Sequence, residues 1–127
     1  MNTQMMNTTM INANMPRPAV MSLAIREKAA LYAAYMPFLK NGGLFIPSVK
    51  PYNLGDEVYL ILSLMDEPNK YPIAGKVAWI TPAGASNNKT AGVGVHFPDD
   101  DTGKAARTRI ETLLGAALKS SRQTHTL

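Results

Sequence analysis

From Glu57 to Met65 apolar positions alternate, with Val58, Leu60, Leu62 and Leu64 on one face and Tyr59, Ile61, Ser63 and Met65 on the other. A period of two marks a strand, and two largely apolar faces predict one covered on both sides. Asp66-Glu67-Pro68-Asn69 is turn chemistry, so the next apolar run, Tyr71 to Ile80, is expected to return antiparallel. Within it Ile73, Val77 and Trp79 are expected to share a face, with Gly75 marking a bulge or sharp bend. Ala91, Val93, Val95 and Phe97 set the apolar face of a last strand, with Gly92 and Gly94 opposite. Earlier in the chain, Val20 to Ile25 reads as a strand, and Leu44 to Ile46 as a short one closed by Pro47. Pro51 to Asp56 and the polar stretch from Thr81 to Thr90 read as a turn and a loop tip.

Two segments switch to the helical period. Arg26 to Met36 is alanine-rich, and Pro37 should end it by pushing the preceding residue out of the α region. Ala106, Ile110, Leu113, Leu114 and Ala117 lie at i, i+4, i+7, i+8 and i+11, one face of a C-terminal amphipathic helix. Asp100 or Asp101 is placed to cap its N-terminus, and Gln123 onward is expected to fray. Five strands at this spacing, curved by glycines, predict a small antiparallel barrel, with room for a sixth strand near residues 48–52.

At 127 residues the chain has material for one core. That core is assigned to 19–119, between a disordered tail at 1–18 and a frayed tail at 120–127. Five methionines among the first fifteen residues leave several candidate translation starts. That stretch lacks the basic and apolar regions of a secretory signal, and no run approaches the length needed to span a bilayer. The chain has no cysteine, which excludes disulfides and thiolate metal sites; a cytoplasmic address is the expectation.

The net charge of +4 raises the question of nucleic acid. The basic residues are scattered, however, and Arg107 and Arg109 point about 200° apart on a helix. A phosphate-binding face needs several cations together, so nucleic-acid binding is not expected. Catalytic constellations are missing as well. His125 falls in the expected tail and His96 stands alone on a strand, without the positioned partner that general-base chemistry needs. Asp99-Asp100-Asp101 lacks the spacing of a calcium loop and reads as helix capping. No enzyme activity, metal or cofactor is expected.

Four motifs in order then become specific: Gly42-Gly43-Leu44-Phe45-Ile46, Leu54-Gly55-Asp56-Glu57-Val58, Gly75-Lys76-Val77-Ala78-Trp79 and Gly92-Val93-Gly94-Val95-His96-Phe97. Together they resemble the PilZ domain family, from about Ala19 to Lys119. The resemblance implies a mainly β fold: a six-stranded antiparallel barrel with a short N-terminal helix and a C-terminal helix. In most members it also implies binding of cyclic di-GMP.

That binding rests in the family on an Arg-x-x-x-Arg element before the barrel and an (Asp/Asn)-x-Ser-x-x-Gly element entering its second strand. Guanidinium forks grip phosphates and guanine edges, and the short polar groups orient the base. Aligned on this chain, the second element puts Phe38 at the acidic position, Lys40 at the serine and Gly43 at the glycine. Arg17 is followed four residues on by Met21, and Arg26 by Ala30, so no arginine pair stands upstream.

The run from Ala30 to Leu39 and the Gly-Gly-Leu-Phe-Ile-Pro that follows most resemble the pilus-assembly subgroup of the family. That resemblance implies a non-enzymatic adaptor in type IV pilus biogenesis that does not itself bind cyclic di-GMP. The implied partners are a pilus-extension ATPase of the PilB type and an EAL-domain regulator that does, with this chain a monomer. The alternatives are a cyclic di-GMP receptor using an altered site and, from the charge alone, a nucleic-acid binder.

On the first helix Leu31, Tyr32, Tyr35 and Met36 span an arc of about 140°, wider than a helix needs to face its core. Phe38 and Leu39 extend that apolar surface past the proline. All six residues could be core; alternatively part of the arc, with Tyr32 foremost, stays exposed as a protein-contact patch.

Overall fold

The computed structural model describes residues 19–84, 90–119 and 124–126. Five strands form one curled sheet: β1 (Ala19–Ile25), β2 (Gly43–Pro47), β3 (Glu57–Leu64), β4 (Lys70–Thr81) and β5 (Gly92–His96). Helix α1 (Lys28–Ala34) links β1 to β2, and helix α2 (Asp101–Leu114) follows β5 and ends in a 3-10 turn, Gly115–Lys119. The strand order is β1-β3-β4-β5-β2, so the sheet is a half-barrel with β1 and β2 as its two edges.

Three expectations are corrected here. The described residues form five strands rather than a closed six-stranded barrel, and residues 48–56 contribute no strand. Beyond β2, the Ser48 amide still donates to the Ala91 carbonyl, and there the sheet-like pairing stops. The pairing is not all antiparallel either, since β1 runs parallel to β3 with Ala19 opposite Val58. Finally, β3 is covered on one face only. Val58, Leu60, Leu62 and Leu64 are buried, whereas Tyr59 is exposed and Ile61 and Ser63 are half-buried.

The concave face holds the core. Leu44 and Ile46 of β2, the inward row of β3, Ile73 and Val77 of β4, and Val93 and Val95 of β5 pack there. Ala106, Ile110 and Leu114 of α2 close it over the top. The helix starts where the sequence predicts: Asp100 is the N-cap, accepting from the Gly103 amide at 3.0 Å and from the Thr102 hydroxyl at 2.6 Å. Those donors, the hydroxyl first, hold the Asp100 carboxyl below the usual carboxylate range. Arg109 anchors the same helix to the β3–β4 turn by a bond from Nε to Glu67 Oε2 at 2.7 Å and a second contact from its guanidinium at 2.5 Å.

The register of β4 holds a feature that periodicity does not show. Between Val77 and Trp79 the pairing with β5 shifts by one, so Val77 lies opposite Val95 and Trp79 opposite Gly94. Ala78 is the extra residue of a bulge, and such an insertion turns the next side chain to the other face. Trp79 therefore leaves the core row of Ile73 and Val77 for the convex face. Gly75 is not the bulge: pairing with β3 runs unbroken through it, opposite Val58. A Cβ there would meet Val95 Cγ1 at 2.5 Å and the His96 carbonyl oxygen at 2.6 Å, so close approach of β5 requires the glycine.

Candidate protein-contact site

Helix α1 is shorter than the alanine-rich run suggests. It ends at Ala34, and Tyr35 is its extended C-cap (φ −69°, ψ 138°), bridging to Leu44. The Met36 amide then donates to the Gly43 carbonyl at 2.9 Å, and the Phe97 amide to the Gly42 carbonyl at 3.0 Å. These bonds fix a tight loop, residues 37–42, at one end of the sheet. The two glycines serve it differently. Gly42 takes a left-handed conformation (φ 81°), while Gly43 lies so close to β5 that a Cβ would stand 2.6 Å from the Val95 carbonyl oxygen.

Because Tyr35 and Met36 leave the helix, the arc drawn around it does not describe their exposure. Leu31, Tyr35 and Met36 are fully buried and Tyr32 is only 9% exposed, part of the core cluster. The expected exposure of Tyr32 is therefore not found. Of the six candidate contact residues, the structure leaves two at the surface: Phe38, 43% exposed, and Leu39, half-buried.

Phe38 does not stand alone. Its ring lies 5.9 Å from that of Trp79, tilted by 58°. Met36 lies beneath, where a Cβ on Gly94 would meet its Sδ at 2.6 Å and Trp79 Cβ at 2.8 Å. Trp79 Nε1 donates to the Thr81 hydroxyl at 2.9 Å, which turns the polar edge of the indole along the strand. The result is an aromatic patch on the convex face, seated over Gly94, while the neighbouring gap at Gly92 is filled by the Phe45 ring. Sequence reasoning missed the part Trp79 plays in it. The available signal was that alternation of glycines, which asks for something large above it.

Cations flank the loop without forming a cluster. Lys40 is exposed, and its carbonyl accepts from Arg107 Nη1 at 3.4 Å. Arg109 is engaged with Glu67, whose carboxyl it holds below the usual range. The loop entering β2 thus presents an exposed ring (Phe38), an exposed ammonium (Lys40) and a glycine required by packing (Gly43). No group of three or more residues able to hold a metal occurs among the described residues. His96 is half-buried, and its Nε2 has no hydrogen-bond partner among the described residues.

Residues 14–116 match the model of the PilZ domain, more than three quarters of the chain. The chain belongs to the PilZ domain family. PilZ domains are cyclic di-GMP-binding adaptor domains and are generally non-enzymatic. The mainly β half-barrel with two helices is consistent with that fold. No curated protein gives a significant match. No helix among the described residues is long and apolar enough to cross a membrane.

Proposed function

We infer that this PilZ domain is a non-enzymatic adaptor in type IV pilus biogenesis, working by protein contact rather than as a cyclic di-GMP receptor. The observation that carries the reading is the aromatic pair. Where the family's ligand element would present an acid, this chain presents Phe38, its exposed ring tilted against that of Trp79. An apolar aromatic surface with Lys40 at its rim suits a protein partner better than a bis-phosphate, which asks for guanidinium forks. The partners proposed are a pilus-extension ATPase of the PilB type and an EAL-domain regulator, with the protein monomeric and cytoplasmic. Phe38, Leu39 and Trp79 form the contact surface, and Leu31, Tyr32, Tyr35 and Met36 shape it from below.

Two measurements test the reading. Titration calorimetry of the purified protein with cyclic di-GMP should show no saturable binding; low-micromolar binding would favour the altered-site receptor. Capture from the native cytoplasm should retain the extension ATPase on the wild-type chain and lose it with Phe38→Ala. Equal retention by both would remove Phe38 from the contact surface.

A further inference from the structure

The two edges of the half-barrel, β1 and β2, face one another across a cavity of about 240 Å³. Leu23 and Ile25 line it from β1, Phe45 from β2, Ala30 and Ala34 from α1, and His125 from the far end of the chain. Residues 124–126, assigned by the sequence to a frayed tail, lie against this seam instead. The His125 amide donates to the Ala33 carbonyl at 2.9 Å, its ring sits 5.2 Å from that of Phe45, and Thr126 is only 6% exposed.

The bond to Ala33 has a cause in the sequence. A carbonyl in an α-helix accepts from the amide four residues on, and four residues after Ala33 stands Pro37, which has no N–H. Because the helix ends at Ala34, the Ala33 carbonyl is one of its last four, left without an intrahelical donor beside an apolar cavity, and an incoming backbone amide satisfies it. The seam therefore offers what a docking segment needs: a fixed acceptor, an aromatic seat at Phe45 and an apolar pocket.

The segment now in place fits it incompletely. Thr126 Oγ1 is buried with no hydrogen-bond partner among the described residues, a mismatch that disfavours this occupant. We propose that the β1–β2 seam is a docking slot for a short peptide segment, and that residues 124–126 are its tethered, replaceable occupant. The partner it fits is a short segment of another protein carrying an aromatic ring at the His125 place and an apolar side chain at the Thr126 place. This proposal is independent of the pilus reading, because the slot and the Phe38–Trp79 patch share no residue.

The test uses the full chain and a labelled synthetic peptide of residues 120–127. In wild type the tether gives the resident segment an effective concentration on the order of millimolar, so added peptide competes poorly. In the chain carrying His125→Gly and Thr126→Asp the resident segment is ejected. That chain should bind the peptide at least about tenfold more tightly than wild type. The same peptide with His125→Phe and Thr126→Val should bind several-fold more tightly again. Near-ultraviolet circular dichroism establishes that the double variant is folded. Absent or equal binding by the two folded chains overturns the proposal. A measurement on wild type alone stands beside it: the His125 amide should exchange slowly with solvent, and excess Phe–Val peptide should accelerate it. An amide already exchanging at the unprotected rate, or one the peptide leaves unchanged, overturns it equally.

Discussion

Tyr35 Oη donates to Glu111 Oε2 at 2.6 Å, joining the end of α1 to the last turn of α2 across 76 residues of chain. Tyr35 is the residue at which the chain leaves the helix, so this bond fixes where the loop bearing Phe38 begins. Its ring is 1% exposed, and its hydroxyl lies close enough that a Cβ on Gly42 would approach it to 3.2 Å. Burial first, and then the Glu111 carboxylate, push the phenol pKa well above its ordinary value.

Replacing Tyr35 by Phe should therefore cost roughly 1 to 2 kcal/mol in urea unfolding at neutral pH. The pH dependence has a defined sign. A raised folded-state pKa means that the stabilisation is fully present below the unfolded phenol value of 10.0 and is lost as pH climbs beyond it. Tyr71, also raised, mainly by burial and then by Glu67, contributes in the same direction. The difference between wild type and Tyr35→Phe isolates Tyr35, and it should shrink steadily between about pH 9 and 11. A difference independent of pH in that range would show that burial and the Glu111 carboxylate do not hold the phenol neutral.

Asp100 tests the opposite end of the scale. Its depressed carboxyl supplies stabilisation that is present above the unfolded carboxyl value of 3.8 and is lost as pH falls through the lower folded-state value. Asp100→Asn keeps a capping oxygen without the charge, whereas Asp100→Ala removes both. The order of melting temperature at pH 7 should be wild type, then Asn, then Ala, and the spread should narrow on acidification.

Packing alone accounts for Gly43. A Cβ would lie 2.6 Å from the Val95 carbonyl oxygen and 2.7 Å from Leu39 Cδ1, and the first is backbone that has nowhere to move. Gly43→Ala should cost about 2 to 3 kcal/mol, with β2 displaced from β5. Gly55, at φ 92° with open space around it, is the control: alanine there meets only backbone strain, about 1 kcal/mol. Equal losses at the two sites in denaturant titration would contradict the close approach of β2 to β5.

The strands were legible because their inner faces repeat with a period of two, and the α2 stripe because Ala106, Ile110 and Leu114 keep a helical one. What escaped was set by relations between distant parts of the chain. The Ala78 bulge has no signature in its own residue type, so Trp79 reads as core until its register with Gly94 is known. The parallel pairing of β1 with β3 joins segments with a helix and a strand between them, which local pattern does not encode. Thr124 to Thr126 look like solvated tail because their docking depends on a distant helix-end carbonyl, that of Ala33. In the candidate site, the loop was legible from its glycines and proline. The split between buried and exposed aromatics was not, because Tyr35 belongs to a bridge rather than a helix.

That split gives the most discriminating pair of substitutions. Tyr32, at 9% exposure within the core cluster, supports α1 from inside, whereas Phe38, at 43%, presents its ring to solvent beside Trp79. Tyr32→Ala opens a cavity under the helix and should cost about 3 kcal/mol or more, with a lowered unfolding midpoint. Phe38→Ala loses only part of one ring contact and should change stability by less than about 1 kcal/mol. Binding should rank them the other way at a temperature where both are folded. Truncating an interface aromatic commonly costs about 2 kcal/mol, roughly a thirtyfold loss of affinity for the proposed ATPase. Tyr32→Ala should weaken that affinity far less, through disorder in the loop alone. Trp79→Ala should behave like Phe38→Ala, because the bulge puts it on the same face. If Trp79→Ala instead destabilised the fold by the roughly 3 to 5 kcal/mol of a buried core aromatic, the register shift at Ala78 would be wrong, and with it the patch.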